Sequence, residues 1–284
     1  MTTPKPATEK KSAGRNLPAA IGIAAVLLAV ILSGLLVWPW LFIIFWMVAL
    51  TFGAGEVLSA LERLDMRGAK PAVLAGLPVT LAASYWVTSC VDMQVGFATQ
   101  IAGLALTTLV ALFTHLLRDV TRFVKDAAAS LFTIAYLGLL GTTAGTLLAQ
   151  PDGGLRLLFL FACVPCSDTG AYAVGSLIGK HKMAKTISPG KTWEGFVGGL
   201  VVASAVGAFF AVWLLQTDWW RGLIIGAALS VAGTLGDLIE SIIKRNAGLK
   251  DMGKVLPGHG GAMDRLDSLL AALPVLWMLM YFLV

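Results

Sequence analysis

Asp237, Glu240, Ser241 and Lys244 stand at i, i+3, i+4 and i+7 in the stretch GTLGDLIESIIKR, so a helix would stack them on one face. Leu238, Ile239, Ile242 and Ile243 would occupy the other face. Two carboxylates, a hydroxyl and an ammonium on one stripe could build a polar site, or could form an ion pair that only locks helices together. A second cluster, Asp264-Arg265-Leu266-Asp267, puts two carboxylates one turn apart where an apolar run begins. A helix start favours anions there, and Asp also serves as a cap. Asp168 lies near the middle of another apolar run, in CSDTGAYAVG. A charge at such depth usually faces a cavity or a partner, although a helix–helix hydrogen bond is an alternative. Hard oxygen donors of this kind suit Mg²⁺, which binds through one or two carboxylates plus substrate phosphates. Zinc fits poorly: His259 has no HxxxH partner, and the pair Cys163 and Cys166 has no second cluster to complete a site.

The two acidic clusters are joined by KRNAGLKDMGKVLPGHGGAMDRLDS, Lys244 to Ser268, which holds five cations, three carboxylates and five glycines. Gly258, Gly260 and Gly261 bracket His259, so backbone N–H groups could approach an anion closely. Lys244, Arg245, Lys250, Lys254 and Arg265 flank them, enough positive charge to neutralise a triphosphate. A basic loop resting on anionic headgroups would explain the lysines, but neither the glycines nor the interleaved acids. A second polar loop contains Ser188-Pro189-Gly190-Lys191-Thr192-Trp193-Glu194-Gly195. Its GKT suggests a P-loop, yet the glycine required five residues earlier is Lys185, and no strand is expected before it. A Walker nucleotide fold is excluded; Ser188, Lys191 and Thr192 remain candidate phosphate ligands.

The elements that must position these residues are membrane helices. Of 284 residues, 57% are hydrophobic and only 13% charged, about half the charge of an ordinary soluble domain. The mean hydropathy is +0.82. Apolar runs near the ~20 residues that cross a bilayer recur along the chain. The expected fold is all-α, a polytopic integral membrane protein with about nine spans. These are placed at 19–37, 40–58, 71–90, 95–114, 128–148, 155–178, 194–215, 221–243 and 266–284. With the N-terminus cytoplasmic, nineteen of the 21 Lys and Arg fall on the cytoplasmic side, leaving only Arg156 and Arg221 outside. The pI of about 9.2 therefore reports topology, and no nucleic-acid partner is expected. The first apolar run is too long for a signal-peptide core and reads as an uncleaved helix. Residues 1–18 form a basic cytoplasmic tail. Residues 19–150 form a scaffold of five helices, where lipid access and dimer contacts would lie. Residues 151–284 carry four helices with the catalytic loops.

Taken together, these motifs resemble the phosphatidate cytidylyltransferases, or CDP-diacylglycerol synthases. The resemblance rests on Ser241-x-x-Lys244-Arg245, Lys250-Asp251, Pro257-x-His259-Gly260-Gly261 and Asp264-Arg265-x-Asp267. Gly236-Asp237-Leu238-x-Glu240, Asp168-Thr169-x-Ala171-Tyr172 and Ser188-Pro189-x-Lys191-Thr192-x-Glu194-Gly195 also match, so the likeness runs from about residue 163 to the end. Ala262 departs from it, standing where a larger aliphatic residue is usual. The resemblance implies CTP and phosphatidate as substrates, a homodimer in a bacterial cell membrane, and Mg²⁺ paired with K⁺. It also implies Asp237 and Asp264 as metal ligands, with Asp168, Glu240 and Asp267 completing the shell or orienting the cations. Lys244 and Arg265 would act in catalysis, while Ser241, Arg245, Lys250, His259, Gly260 and Gly261 would hold phosphate.

The implied reaction is an in-line attack by the phosphatidate phosphate on the α-phosphorus of CTP, with pyrophosphate leaving. A CTP-dependent polyprenol or lipid kinase would use similar loops but move the γ-phosphoryl group. A transporter would spread polar residues through both halves of the membrane, whereas here they gather at one face. A CDP-alcohol phosphotransferase is disfavoured because its DGxxAR element is missing.

Overall fold

A computed structural model describes residues 17–253 and 260–284. Among them run nine long helices: α1 (Leu17–Leu36), α2 (Pro39–Arg63), α3 (Lys70–Cys90), α4 (Met93–Arg118), α5 (Val120–Leu148), α6 (Gly153–Ile178), α7 (Trp193–Trp213), α8 (Trp219–Asn246) and α9 (Met263–Leu283). Eight of these, α2 to α9, are long and apolar enough to cross a membrane, and the protein is an all-α, multi-pass membrane protein. The helices start where chemistry favours a start. Pro39 occupies the first turn of α2. Asp92 caps α4, its carboxylate accepting the Val95 N–H at 2.8 Å, and Thr192 caps α7 by accepting the Gly195 N–H at 3.1 Å. Within α5, the segment Ile134–Leu139 is π-helical, a local widening that is frequent near functional sites.

Several helices outrun the spans expected from hydropathy. The second continues from 58 to Arg63, the fourth from 114 to Arg118 and the eighth from 243 to Asn246. Hydropathy marks the length that sits in hydrocarbon, whereas backbone hydrogen bonding carries the helix on into the polar interface. The loop after α6 was expected to lack a strand. It instead folds into an antiparallel hairpin, β1 (Lys182–Ala184) with β2 (Ser188–Thr192). The GKT residues lie within β2 itself rather than after it, so the hairpin still supplies no P-loop.

Charged groups collect at one end of the bundle. There, Arg122 lies 3.0 Å and Lys125 2.8 Å from the carboxylate of Asp65, and Lys70 lies 2.7 Å from Glu62. Hydrogen bonds from Lys125, and then from Arg122, hold the Asp65 carboxyl down at about 2. At the opposite end Arg221 donates to the Leu283 carbonyl at 2.6 Å, and Arg156 donates to Gln150 at 3.2 Å. Among the described residues, the two cations expected to stand apart lie at this opposite end.

Candidate active site

At the charged end, α6, the hairpin, α8 and α9 enclose a cavity of about 630 Å³. Asp168 opens into it from α6, Lys182, Ser188 and Lys191 from the hairpin, and Asp237 from α8. Asp264, Arg265 and Asp267 line it from α9. Asp237 and Asp267 meet because Gly236 lets α8 press on α9. A Cβ at Gly236 would sit 2.3 Å from the Asp267 carbonyl oxygen, so any side chain there would force the helices apart.

Asp237, Glu240 and Asp267 each offer an oxygen, and these lie within 4.8 Å of one another. The sequence placed Asp237 and Glu240 on one helical face; the fold adds Asp267 from the next helix. Glu240 is wholly buried, and its Oε1 has no hydrogen-bond partner. Three crowded carboxylates repel, and an unpaired buried carboxylate oxygen is costly. A small hard dication answers both conditions, so the donor set fits Mg²⁺.

Cations hold the cluster together. Lys244 pairs with Glu240 one turn earlier and donates to Asp264 at 2.9 Å, joining α8 to α9. Lys191 reaches from β2 to within 2.8 Å of Asp237, and Ser241 donates to the same carboxylate at 3.2 Å. Arg245 is turned to the hairpin, donating to the Ile187 carbonyl at 3.1 Å, so it anchors the loop that carries Lys191. Thr192 is buried and engaged as the α7 cap. Lys250 is exposed and does not line the cavity. His259 lies outside the described residues.

The glycine pair serves a different neighbour from the one the sequence suggests. The Gly261 N–H donates to Asp264 at 2.8 Å, and the Met252 N–H donates to the same carboxylate at 3.1 Å. Gly260 has φ +85°, and a Cβ there would stand 3.0 Å from Asp264. A Cβ on Gly261 would come within 2.5 Å of Glu56. The backbone expected to cradle a phosphate thus wraps two of the protein's own carboxylates. Asp264 knits the connecting loop to the start of α9 and lies outside the close carboxylate trio.

Glu56 is a site residue that the motif analysis missed. It comes from α2, more than two hundred residues away in sequence, and accepts the Ala262 N–H at 3.1 Å and the Met263 N–H at 2.8 Å. These amides open α9 and would otherwise lack partners, so Glu56 caps a helix that is not its own. The signal was present as a lone carboxylate in the apolar stretch TFGAGEVLSA. From α5, Tyr136 in the π-helical segment donates to the Gly236 carbonyl at 3.4 Å, beneath the cluster. The site therefore draws on the helices before residue 150 as well as those after it. Glu56→Ala would leave two amides short of an acceptor, at about 1–3 kcal/mol for each. The expected result is a lower thermal midpoint in detergent with impaired turnover, and Glu56→Gln falling between it and the unaltered protein. Unchanged midpoint and turnover in Glu56→Ala would rule out this capping role.

Comparison with known proteins places the chain in a family. Residues 18–283 match the cytidylyltransferase family. The chain is 34% identical over 279 residues to a phosphatidate cytidylyltransferase of Mycobacterium leprae, covering 93% of this chain and 88% of that protein. It is 33% identical over 292 residues to that of Mycobacterium bovis, covering 97% and 92%. A phosphatidate cytidylyltransferase of Staphylococcus saprophyticus is 45% identical over 155 residues, 53% of this chain and 58% of that protein. With a family match over residues 18–283 and the two mycobacterial relatives covered over 88% and 92% of their length, the chain belongs to the cytidylyltransferase family.

Proposed function

We propose that this protein transfers the cytidylyl group of CTP to phosphatidate in a bacterial cell membrane, giving CDP-diacylglycerol and pyrophosphate. The observation that carries this reading is a single cavity, at one end of a membrane bundle, where the carboxylates of α8 and α9 face the cations of the hairpin and Arg265. The bacterial relatives named for this activity support it.

A phosphatidate phosphate oxygen attacks the α-phosphorus of CTP as the bond to the β-phosphate oxygen breaks. The monoester is already an anionic nucleophile, so the protein has no need of a strong base. Its work is positioning and charge neutralisation. Lys191 and Arg265 line the cavity, with Lys182 and Ser188 beside them, and would face the phosphates. Lys244, held between Glu240 and Asp264, fixes the carboxylates. Mg²⁺ held by Asp237 and Asp267, with Glu240 behind them, would supply charge neutralisation at the phosphate oxygens, and the same oxygen-rich set admits K⁺ beside it. Asp168, across the cavity, orients the cations that approach the triphosphate. A homodimer belongs to the same proposal.

The test mixes purified protein with Mg²⁺, cytidine-labelled CTP and phosphatidate. Labelled CDP-diacylglycerol with stoichiometric pyrophosphate is expected. Transfer of the γ-phosphate to a lipid acceptor instead would overturn the reading in favour of a kinase.

The cavity faces the cytosol in this proposal, with nine crossings and a cytosolic N-terminus. Asp152→Cys, in a background lacking Cys90, Cys163 and Cys166, is expected to react with an impermeant thiol reagent on intact cells. Labelling only after the membrane is opened would reverse the orientation.

A further inference from the structure

A second cavity, of about 1030 Å³, lies on the outer face of α6 and α7 beside the catalytic one. Its size reaches the top of the ~300–1,000 Å³ range of ligand clefts. The walls are Val174 and Ile178 from α6 and Val197 and Val201 from α7. Ile178, Val197 and Val201 are each more than half exposed, so the surface they present has no protein cover among the described residues. The floor is a close helix crossing. A Cβ on Gly198 would stand 2.5 Å from the Val174 side chain, so the helices touch and the flanking valines rise on either side.

One mouth of this groove is charged. Lys180, Lys182 and Lys185 line it, together with His181 and Glu194. Glu194 is already engaged: it accepts the His181 ring at 2.5 Å and the backbone N–H groups of Lys180 and His181 at 3.2 Å. The lysines are left as the dominant charge at the mouth. Lys182 lines this groove and the catalytic cavity alike. An apolar trough with cations at its polar end matches an acyl chain carrying a phosphate monoester.

We propose that this groove seats an acyl chain of phosphatidate, with the headgroup at Lys180 and Lys185 and Lys182 leading it into the catalytic cavity. The inference rests on phosphatidate being the substrate and says where the lipid lies. Lysine suits this task, because an ammonium on a flexible stem can follow a moving phosphate. Neutral lipids would fill the trough equally well but would gain nothing at its mouth, so the selection falls on the headgroup.

The experiment uses the full-length protein in phosphatidylcholine nanodiscs with a phosphatidate bearing a diazirine midway along one chain. Adducts are expected on Val174, Val197 or Val201, lost on adding unlabelled phosphatidate and kept on adding more phosphatidylcholine. The double variant Lys180→Ala/Lys185→Ala is expected to lower their yield. Val197→Trp, which fills the trough, is expected to raise KM for long-chain phosphatidate about tenfold, roughly 1.4 kcal/mol, with KM for CTP unchanged. Adducts displaced equally by both lipids would mean general bilayer contact and overturn the proposal, as would an unchanged KM for phosphatidate in folded Val197→Trp. If the unaltered protein made no CDP-diacylglycerol, the proposed function would fail; adducts displaced by phosphatidate alone would still establish the groove as a lipid site.

Discussion

Asp237→Asn and Asp267→Asn are each expected to lower turnover about a thousandfold, because on the proposed function each deletes one of the two carboxylates that would hold Mg²⁺. A metal at developing phosphate charge is worth several kcal/mol, and each 1.36 kcal/mol is a factor of ten in rate. An amide keeps the volume and one oxygen but brings N–H donors into a space shaped for a cation. The two variants act from different helices, α8 and α9, which Gly236 brings into contact, and should fail alike. The measurement is kcat at saturating CTP and phosphatidate, with a Mg²⁺ titration and a check of monodispersity in detergent. Turnover within tenfold of the unaltered protein in either variant would remove that residue from the metal set. A requirement for more Mg²⁺ in both would support it.

The second large effect falls on stability. Lys244→Met is expected to cost about 3–5 kcal/mol, the range for removing one partner of a buried ion pair. Burial decides this magnitude. The Glu240 side chain is 0% exposed and that of Asp264 10%, with Lys244 at 14% between them. A surface pair would contribute only about 0–1 kcal/mol. Removing the ammonium leaves Glu240 buried beside Asp264 without the cation that pairs with both, and with Asp237 and Asp267 nearby. Adding Glu240→Gln should restore part of the loss by removing the stranded charge. Thermal unfolding in detergent, read for the single and double variants, tests this. A Lys244→Met protein as stable as the original would show that the pair is solvated rather than buried.

Much of this architecture was legible in the sequence, and for definite reasons. Hydrocarbon admits only helices or closed barrels, so long apolar runs translate directly into spanning helices. The helical period likewise placed Asp237, Glu240, Ser241 and Lys244 on one face. The cation count separated Arg156 and Arg221 from the others, as the two ends of the bundle do for the described residues. Less legible were the partners of each polar group. The sequence leaves Lys244 open as a phosphate-neutralising cation or as one partner of an ion pair, and the fold sets Asp264 and Glu240 on either side of it. The Gly260-Gly261 pair reads as an anion cradle, and it is one, but the anions beside it are the carboxylates of Asp264 and Glu56.

Local pattern determined the membrane class, the helical stripe of polar residues and the concentration of charge at one end of the chain's helices. Each of these depends on residues within a few turns of one another, where period and hydropathy are informative. Tertiary structure alone decided that Asp267 joins Asp237 and Glu240 in one close set, that Asp264 meets Glu240 at the Lys244 ammonium, that Lys191 crosses from the hairpin to Asp237, and that Glu56 caps α9. Those contacts depend on how closely helices approach and in what rotation. That is set by a small residue such as Gly236 at the crossing and by what packs behind it, and no local sequence window contains both sides.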